Sequence, residues 1–334
     1  MSSILVITLA TSKPSTRLRM LPVVDQLRQR SHAVSLVELA RSSIGRLQLL
    51  QQAKRHDLIV LQKKLFPLPY VALLRRVNPN LVFDVDDAVM FHELERGEVV
   101  TGNFFRRFAA IAAASRIVVT GNAYLAEFAS VARSTDQRAV AILPTPIDTR
   151  RLAAKTRYDS PDGPVIGWMG TKGNLHQLKP FATTLCSLQA QIPTLRLRIL
   201  ADRTLDLPGV NIDNKPWTAA GEADDLRNFD IGIMPLEDNL WNRGKGGFKL
   251  LQYMAAGLPA IASPVGINAD IVRHGENGFL ARTDAEWHDN LLMLARDHEL
   301  RRRIGLAARK TIEDAYSLDG YLERYCNLIE SCLP

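Results

Sequence analysis

The chain has 334 residues, 46% of them hydrophobic, and a formal net charge of +7. That length allows two domains with ordinary cores, and no apolar run approaches the ~20 residues needed to span a bilayer. Three cysteines, Cys186, Cys326 and Cys332, form an odd set without metal-ligand spacing, which argues against a disulfide framework and suits a reducing cytoplasm. The charge is uneven: residues 1–150 hold 20 Lys/Arg against 12 Asp/Glu, and residues 151–334 hold 22 against 23. Such asymmetry means either a solvated basic surface or a first half that faces something acidic. No RNP, zinc-finger or helix-turn-helix signature occurs, so nucleic acid is not the expected partner. "RSSIGRLQLLQQAKRH" and "FFRRFAAIAAASR" are basic and amphipathic like interfacial helices, and an anionic membrane face fits them better.

The opening "MSSILVITLATSKPSTRLRM" has no basic stretch before its apolar run, so "ILVITLA" is expected to be a buried first strand rather than a signal peptide. Further strands are expected at "AVSLVEL", "DLIVLQ", "LVFDV", "RIVVTG" and "AVAILP", with helices around 18–30, 68–77, 103–114 and 122–131. Residues 144–164, "PTPIDTRRLAAKTRYDSPDGP", are rich in Pro, Asp and Arg and read as a linker. Strands resume at "PVIGWMG", "LRLRIL", "GVNID", "DIGIMPL", "PAIASPV" and "GFLA", and a helical tail occupies about 284–332. Alternation of this kind predicts βαβ units and parallel sheets. Continuous apolar strands predict sheets covered on both faces. The expected organisation is two Rossmann-like domains, 1–150 and 160–334, with a ligand cleft at the carboxyl ends of the strands.

Two segments of the second half suit a phosphate. "IGWMGTKGNLHQLKPF" ends a strand and turns through Gly170, Thr171, Lys172, Gly173 and Asn174, where backbone N–H groups and a lysine converge. "DIGIMPLEDNLWNRGKGGFKLLQYMAAG" repeats the device: Gly246 and Gly247 allow close approach, and Lys245 and Lys249 share one face if that turn is helical. Cations at a helix start oppose its dipole, so these lysines look placed for a ligand. Neither segment is a Walker loop or a GxGxxG fingerprint.

"PLEDNLWNRGKGGFKLLQYMAAGLPAIASPVGINADIVRHGENGFLA" resembles the donor-binding signature of retaining glycosyltransferases of the GT-B fold, the group often called family four. "PSTRLRMLPVVDQLRQRSHAV", "FDVDDAV", "TGNAYLAEFA" and "ILPTPIDT" resemble the same group, so the likeness covers most of the chain. The resemblance implies a nucleoside-diphosphate-sugar donor in the C-terminal domain, an acceptor at the N-terminal domain, and retention at the anomeric carbon. It places Gly170, Thr171, Lys172 and Lys249 near the donor phosphates, Trp217 near the base, and Gly266 and Asn268 near the donor sugar or its phosphate; Asn174 and Lys245, from the two segments above, are further donor-binding candidates. Many members carry two glutamates eight apart; here those positions are Gly244 and Gln252. Gln252 can still bond a ribose hydroxyl, and Glu237 or Asp238 are the candidates to replace the lost carboxylate.

In "FDVDDAVMF" three carboxylates, Asp84, Asp86 and Asp87, end a buried strand, where desolvation is costly unless they bind something. Asp86 and Asp87 are the candidates for holding the acceptor hydroxyl or taking its proton, with Lys249 the third catalytic candidate. Strand alternation would put Asp84 and Asp86 on one side and Asp87 on the other, where it can also cap the next helix. Ser15, Arg17 and Arg19, after the first strand, are the acceptor-side candidates; Arg17 with Lys63 and Lys64 would suit a lipid-linked diphosphate. His92 and His176 read as surface residues. No metal or other cofactor is expected, because lysines and a helix start can neutralise a diphosphate. The expected protein is a bacterial glycosyltransferase of cell-envelope polysaccharide synthesis, acting on a glycan or lipid-linked saccharide. It is expected to be cytoplasmic, or peripheral on the inner membrane face. A nucleotide-sugar epimerase and a non-catalytic nucleotide-sugar-binding protein remain as alternatives.

Overall fold

A computed structural model describes residues 1–39, 42–93, 99–100, 102–132 and 139–334. Arg41, which opens one of the basic stretches, lies outside the described residues. The chain forms two compact units: Met1–Pro146 with Asn239–Gly246 and Leu318–Pro334, and Ile147–Asp238 with Gly247–Ser317.

The first unit contains β1 (Ser3–Thr8), β2 (Ala33–Glu38), β3 (Leu58–Gln62), β4 (Leu81–Val85), a small antiparallel pair β5 (His92–Glu93) and β6 (Val99–Val100), then β7 (Ile117–Thr120) and β8 (Val140–Ile142). Six of these make one parallel sheet in the order β2-β1-β3-β4-β7-β8. The strand order reverses between β1 and β3, which is where ligands collect in doubly wound sheets. Helices Ser43–Lys54, Leu68–Val77, Gly102–Ala114 and Ala123–Val131 bury Leu49, Val71, Phe108 and Leu125 against one face. The other face is covered by Leu21–Gln29 and by the final helix, Leu318–Glu330. Tyr321, Tyr325 and Ile329 recur every four residues in that helix and so form one apolar stripe. This burial places residues 318–334 in the first unit and not in the second domain that the sequence predicts for them.

The second unit contains β9 (Val165–Met169), β10 (Arg196–Ala201), β11 (Ile212–Pro216), β12 (Ile231–Met234), β13 (Ala260–Ala262) and β14 (Phe279–Leu280). All are parallel, in the order β11-β10-β9-β12-β13-β14, and the reversal falls between β9 and β12. Most of the expected linker belongs to this unit. Tyr158 is buried and donates to the Gly257 carbonyl at 2.8 Å, while Lys155 meets Asp230 at 2.7 Å. Among the described residues, no helix is long and apolar enough to cross a membrane. The three cysteines are free thiols.

Candidate active site

At the β1/β3 switch point of the first unit, the loop after β1 is clamped by Gln62. Its side chain accepts from the Thr16 hydroxyl at 2.8 Å and donates to the Ser15 carbonyl at 3.2 Å. Next to it, Lys63 adopts a left-handed backbone, φ 59°, which non-glycine residues rarely adopt. That turn brings its Nζ within 3.1 Å of the Ser15 hydroxyl, 3.2 Å of Asp86 Oδ1 and 2.7 Å of Asp87 Oδ2. Asp86 and Asp87 therefore share one lysine. The expected alternation fails because β4 ends at Val85 and the backbone turns immediately afterwards. Nor does Asp87 start a helix; its carbonyl accepts from Val89 N–H in a turn.

Electrostatics separates the two carboxylates. Burial alone would raise Asp86, but Lys63 and then Arg19 outweigh it and hold Asp86 below the usual carboxylate range. Burial pushes Asp87 up; Lys63 pulls against it, the Asp86 charge adds to it, and the result is a raised value. Burial would likewise lower Lys63, yet the two aspartates keep it above its ordinary value. A firmly ionised carboxylate beside a more basic one is an arrangement that can orient a hydroxyl and accept its proton.

Arg19 and Asp84 take another role. Both are fully buried, with Arg19 Nη2 2.7 Å from Asp84 Oδ2. Arg19 also donates to the Leu143 carbonyl at 2.8 Å and lies 5.5 Å from the centroid of the Tyr321 ring. Tyr325 donates its hydroxyl to Asp84 at 3.2 Å. Burial raises Asp84 even so, while the partners' charges keep Arg19 high despite burial. We take the pair as ionised, because a guanidinium does not release its proton and Asp84 receives donors from two side chains. The acceptor role expected of Arg19 is thus corrected: its guanidinium is spent inside the core. Arg17 is exposed, and Ser15 faces the Lys63 cluster. The three aspartates do not converge as a ligand set, because Asp84 turns to Arg19 and the other two to Lys63.

Lys245 also departs from expectation. Residues 239–246 belong to the first unit. There Asn122 Nδ2 donates to the Lys245 carbonyl at 3.2 Å, Tyr124 donates to Leu240 O at 3.2 Å, and Lys245 contributes positive charge at Asp87. The following helix runs Phe248–Ala255 and begins only after Gly247, which is left-handed at φ 64°. Lys245 and Lys249 therefore do not share a helical face.

Lys249 sits at the switch point of the second unit. Its Nζ lies 4.6 Å from the centroid of the Trp168 ring. A Cβ added to Gly170 would come 2.3 Å from that ring and 2.8 Å from Lys249 Nζ, so only glycine fits between strand end and ammonium. The two phosphate-like elements of the sequence thus meet in space. Thr171 precedes a 3₁₀ helix, Lys172–Phe181, instead of opening directly into an α-helix. Lys172 is exposed, and its backbone N–H donates to Asp202 Oδ1 at 2.6 Å, so that expected donor is already engaged. Asn174 Nδ2 donates to Thr171 Oγ1 at 3.2 Å.

Gln252 is buried and donates to Glu222 Oε1 at 2.8 Å, while Trp217 Nε1 donates to Glu222 Oε2, also at 2.8 Å. Glu222 was not singled out by sequence reasoning, which looked to Glu237 and Asp238. The only cue was its place in the acidic first turn of Glu222–Arg227, after the Trp217 loop. Asn268 Nδ2 donates to the Ser263 carbonyl at 3.1 Å, leaving its buried Oδ1 without a partner. Asn268 opens the short helix Asn268–Ile271, and Gly266, left-handed at φ 54°, stands two residues before it. A buried acceptor of this kind costs about 1–3 kcal/mol until something donates to it.

Residues 163–297 match the family model of glycosyl transferases group 1. An N-acetyl-alpha-D-glucosaminyl L-malate synthase of Bacillus anthracis is 30% identical over 81 residues, 24% of this chain and only 21% of that relative. HepE of Anabaena, solved with UDP and glucose, superposes with a TM-score of 0.70 at 13% identity, covering 99% of this chain and 100% of that one. A glycosyltransferase from Rickettsia africae gives 0.72 at 12% identity, covering 99% and 98%. The sucrose-phosphate synthase of Thermosynechococcus elongatus gives 0.68 at 12%, covering 99% of each. The fold is GT-B, with two six-stranded parallel sheets.

Proposed function

We propose that this GT-B chain is a glycosyltransferase that moves a sugar from a nucleoside-diphosphate-sugar to a hydroxyl of a glycan or lipid-linked saccharide, with retention at the anomeric carbon. The observation that carries the proposal is the meeting of Lys249 with the Gly170 loop at the switch point of the second unit. An ammonium beside a glycine turn at strand ends suits a diphosphate. In this reading Lys249, assisted by Lys172, stabilises charge on the departing diphosphate. The Glu222–Gln252 pair holds the ribose, Trp217 borders the base, and the orphaned Asn268 Oδ1 accepts from a sugar hydroxyl. UDP in the Anabaena structure supports a uridine nucleotide as the first donor to try.

The first unit supplies the acceptor side. In this reading Asp86 fixes the acceptor hydroxyl, and Asp87, the more basic of the two, takes up its proton. The reaction balances as sugar transfer from phosphate oxygen to acceptor oxygen, with release of a nucleoside diphosphate and one proton. We propose that it needs no metal, so that chelation by EDTA leaves turnover unchanged. The proposed setting is bacterial cell-envelope polysaccharide synthesis, with the enzyme in the cytoplasm or peripheral on the inner membrane face.

A thermal-shift screen of the full chain against nucleoside diphosphates and their sugars tests the donor half. A ligand that binds only the folded state raises its melting temperature. A selective shift with one diphosphate, followed by transfer to a saccharide, is the expected result. No shift at millimolar ligand would overturn the donor site, and binding without transfer would favour a nucleotide-sugar-binding protein.

A further inference from the structure

On the first unit, three cations come from three neighbouring elements. Arg46 lies on the helix Ser43–Lys54, Lys64 in the loop between β3 and Leu68–Val77, and Arg107 on Gly102–Ala114. The middle helix packs against both of the others, and its Tyr70 donates a hydroxyl to the Arg46 carbonyl at 2.9 Å. Lys64 is partly buried; burial first, then the charges of Arg46 and Arg107, lower its pKa. Arg46 Nε is buried and has no hydrogen-bond partner. Among the described residues, no carboxylate pairs with any of the three. Asp86 and Asp87 are taken by the preceding Lys63, whose left-handed turn sends successive lysines to different neighbours.

Converging cations with an orphaned guanidinium donor are unfavourable on their own, and a bound anion relieves them. The flanks identify the anion's carrier. Ile44 and Leu47, one turn apart on the Arg46 helix, are 73% and 59% exposed. Phe104, one turn before Arg107, is 39% exposed. Apolar residues beside unpaired cations match a lipid headgroup at a bilayer surface, with the side chains entering the acyl boundary. We propose that Arg46, Lys64 and Arg107 form a built binding site for the phosphate of an anionic lipid, with Ile44, Leu47 and Phe104 seated in the bilayer. This site specifies residues for the membrane side of the reading above but does not depend on sugar transfer.

The test is co-sedimentation of the full chain with phosphatidylcholine vesicles, with and without phosphatidylglycerol. Wild type is expected to bind only the anionic vesicles. The triple variant Arg46→Gln, Lys64→Gln, Arg107→Gln is expected to lose about 100-fold in partitioning, since each cation near the surface counts for about 1 kcal/mol. A matched variant, Arg273→Gln, Arg302→Gln, Lys310→Gln, removes the same charge from the second unit and is expected to bind normally. Ile44→Ser with Leu47→Ser is expected to weaken the binding that survives high salt. Equal loss in the two triple variants, or no preference for anionic vesicles, overturns the site. Calorimetric binding of inorganic pyrophosphate that is lost in the first variant, without vesicle binding, would make it a small-anion site and overturn the lipid. Melting temperature and UDP binding of the variants report folding and the donor reading separately.

Discussion

Lys249 Nζ stands 4.6 Å from the centroid of the Trp168 ring, so the cation is held over an aromatic face. Such a contact stabilises by about 0.5–1 kcal/mol. A diphosphate offers a stronger partner, because ion and hydrogen bonds then act together. Lys249→Ala is expected to lower turnover by about 100- to 1,000-fold, as loss of one charge-stabilising donor does. Wild-type turnover in the variant would remove Lys249 from the reaction.

Gly170→Ala tests the same geometry from the other side. The added methyl would meet Trp168 at 2.3 Å and Lys249 at 2.8 Å, forcing both to move. Overpacking of this kind costs about 1–3 kcal/mol. The expected variant melts earlier and binds nucleoside diphosphate more weakly than wild type in calorimetry.

Glu222→Gln keeps the shape but removes the charge that both Gln252 and Trp217 address. A hydrogen bond to a charged group contributes about 1.5–3 kcal/mol, against about 1 for a neutral one. UDP affinity is expected to fall about tenfold, and the preference for UDP over its 2′-deoxy analogue to shrink. Unchanged affinities would remove Glu222 from the ribose contact.

Arg19 and Asp84 are predicted to matter for folding and not for acceptor choice. Arg19→Met leaves a buried carboxylate unpaired and is expected to cost about 3–5 kcal/mol in urea unfolding. Adding Asp84→Leu removes that carboxylate and should recover much of the loss. The acceptor KM of the refolded double variant is expected to match wild type.

Asp86 has a folded pKa below its ordinary value of 3.8. A depressed carboxylate contributes stability that is complete above the unfolded pKa and is lost as pH falls through the folded one. Asp86→Asn should therefore destabilise near neutrality, by about 3 kcal/mol for a broken buried pair. The difference should begin to close below the unfolded value and vanish as pH falls through the folded one. Denaturation curves at several pH values check this, and a pH-independent difference would show that Lys63 is not its cause.

The strands were legible because apolar runs such as "LIVLQ" and "VIGWM" have one stable use, a sheet covered on both faces. The two glycine- and lysine-bearing segments were legible because such residues at strand ends are a local signal, and the structure brings Gly170 and Lys249 together. Pairings between distant residues were not. Lys249 with Trp168, Glu222 with Gln252, and the capture of Leu318–Glu330 by the first unit join positions far apart in the chain. Local rules also misjudged where structure stops. Strand alternation was carried past Val85 and helix periodicity back past Gly247, whereas backbone turns end both. Sequence by itself determined the α/β alternation and the residue types available to hold a phosphate. Tertiary structure decided which charges meet the glycine turn at a switch point, as with Lys249, and which are consumed in the core, as with Arg19. That decision depends on burial, and burial depends on long-range packing that no window of sequence contains.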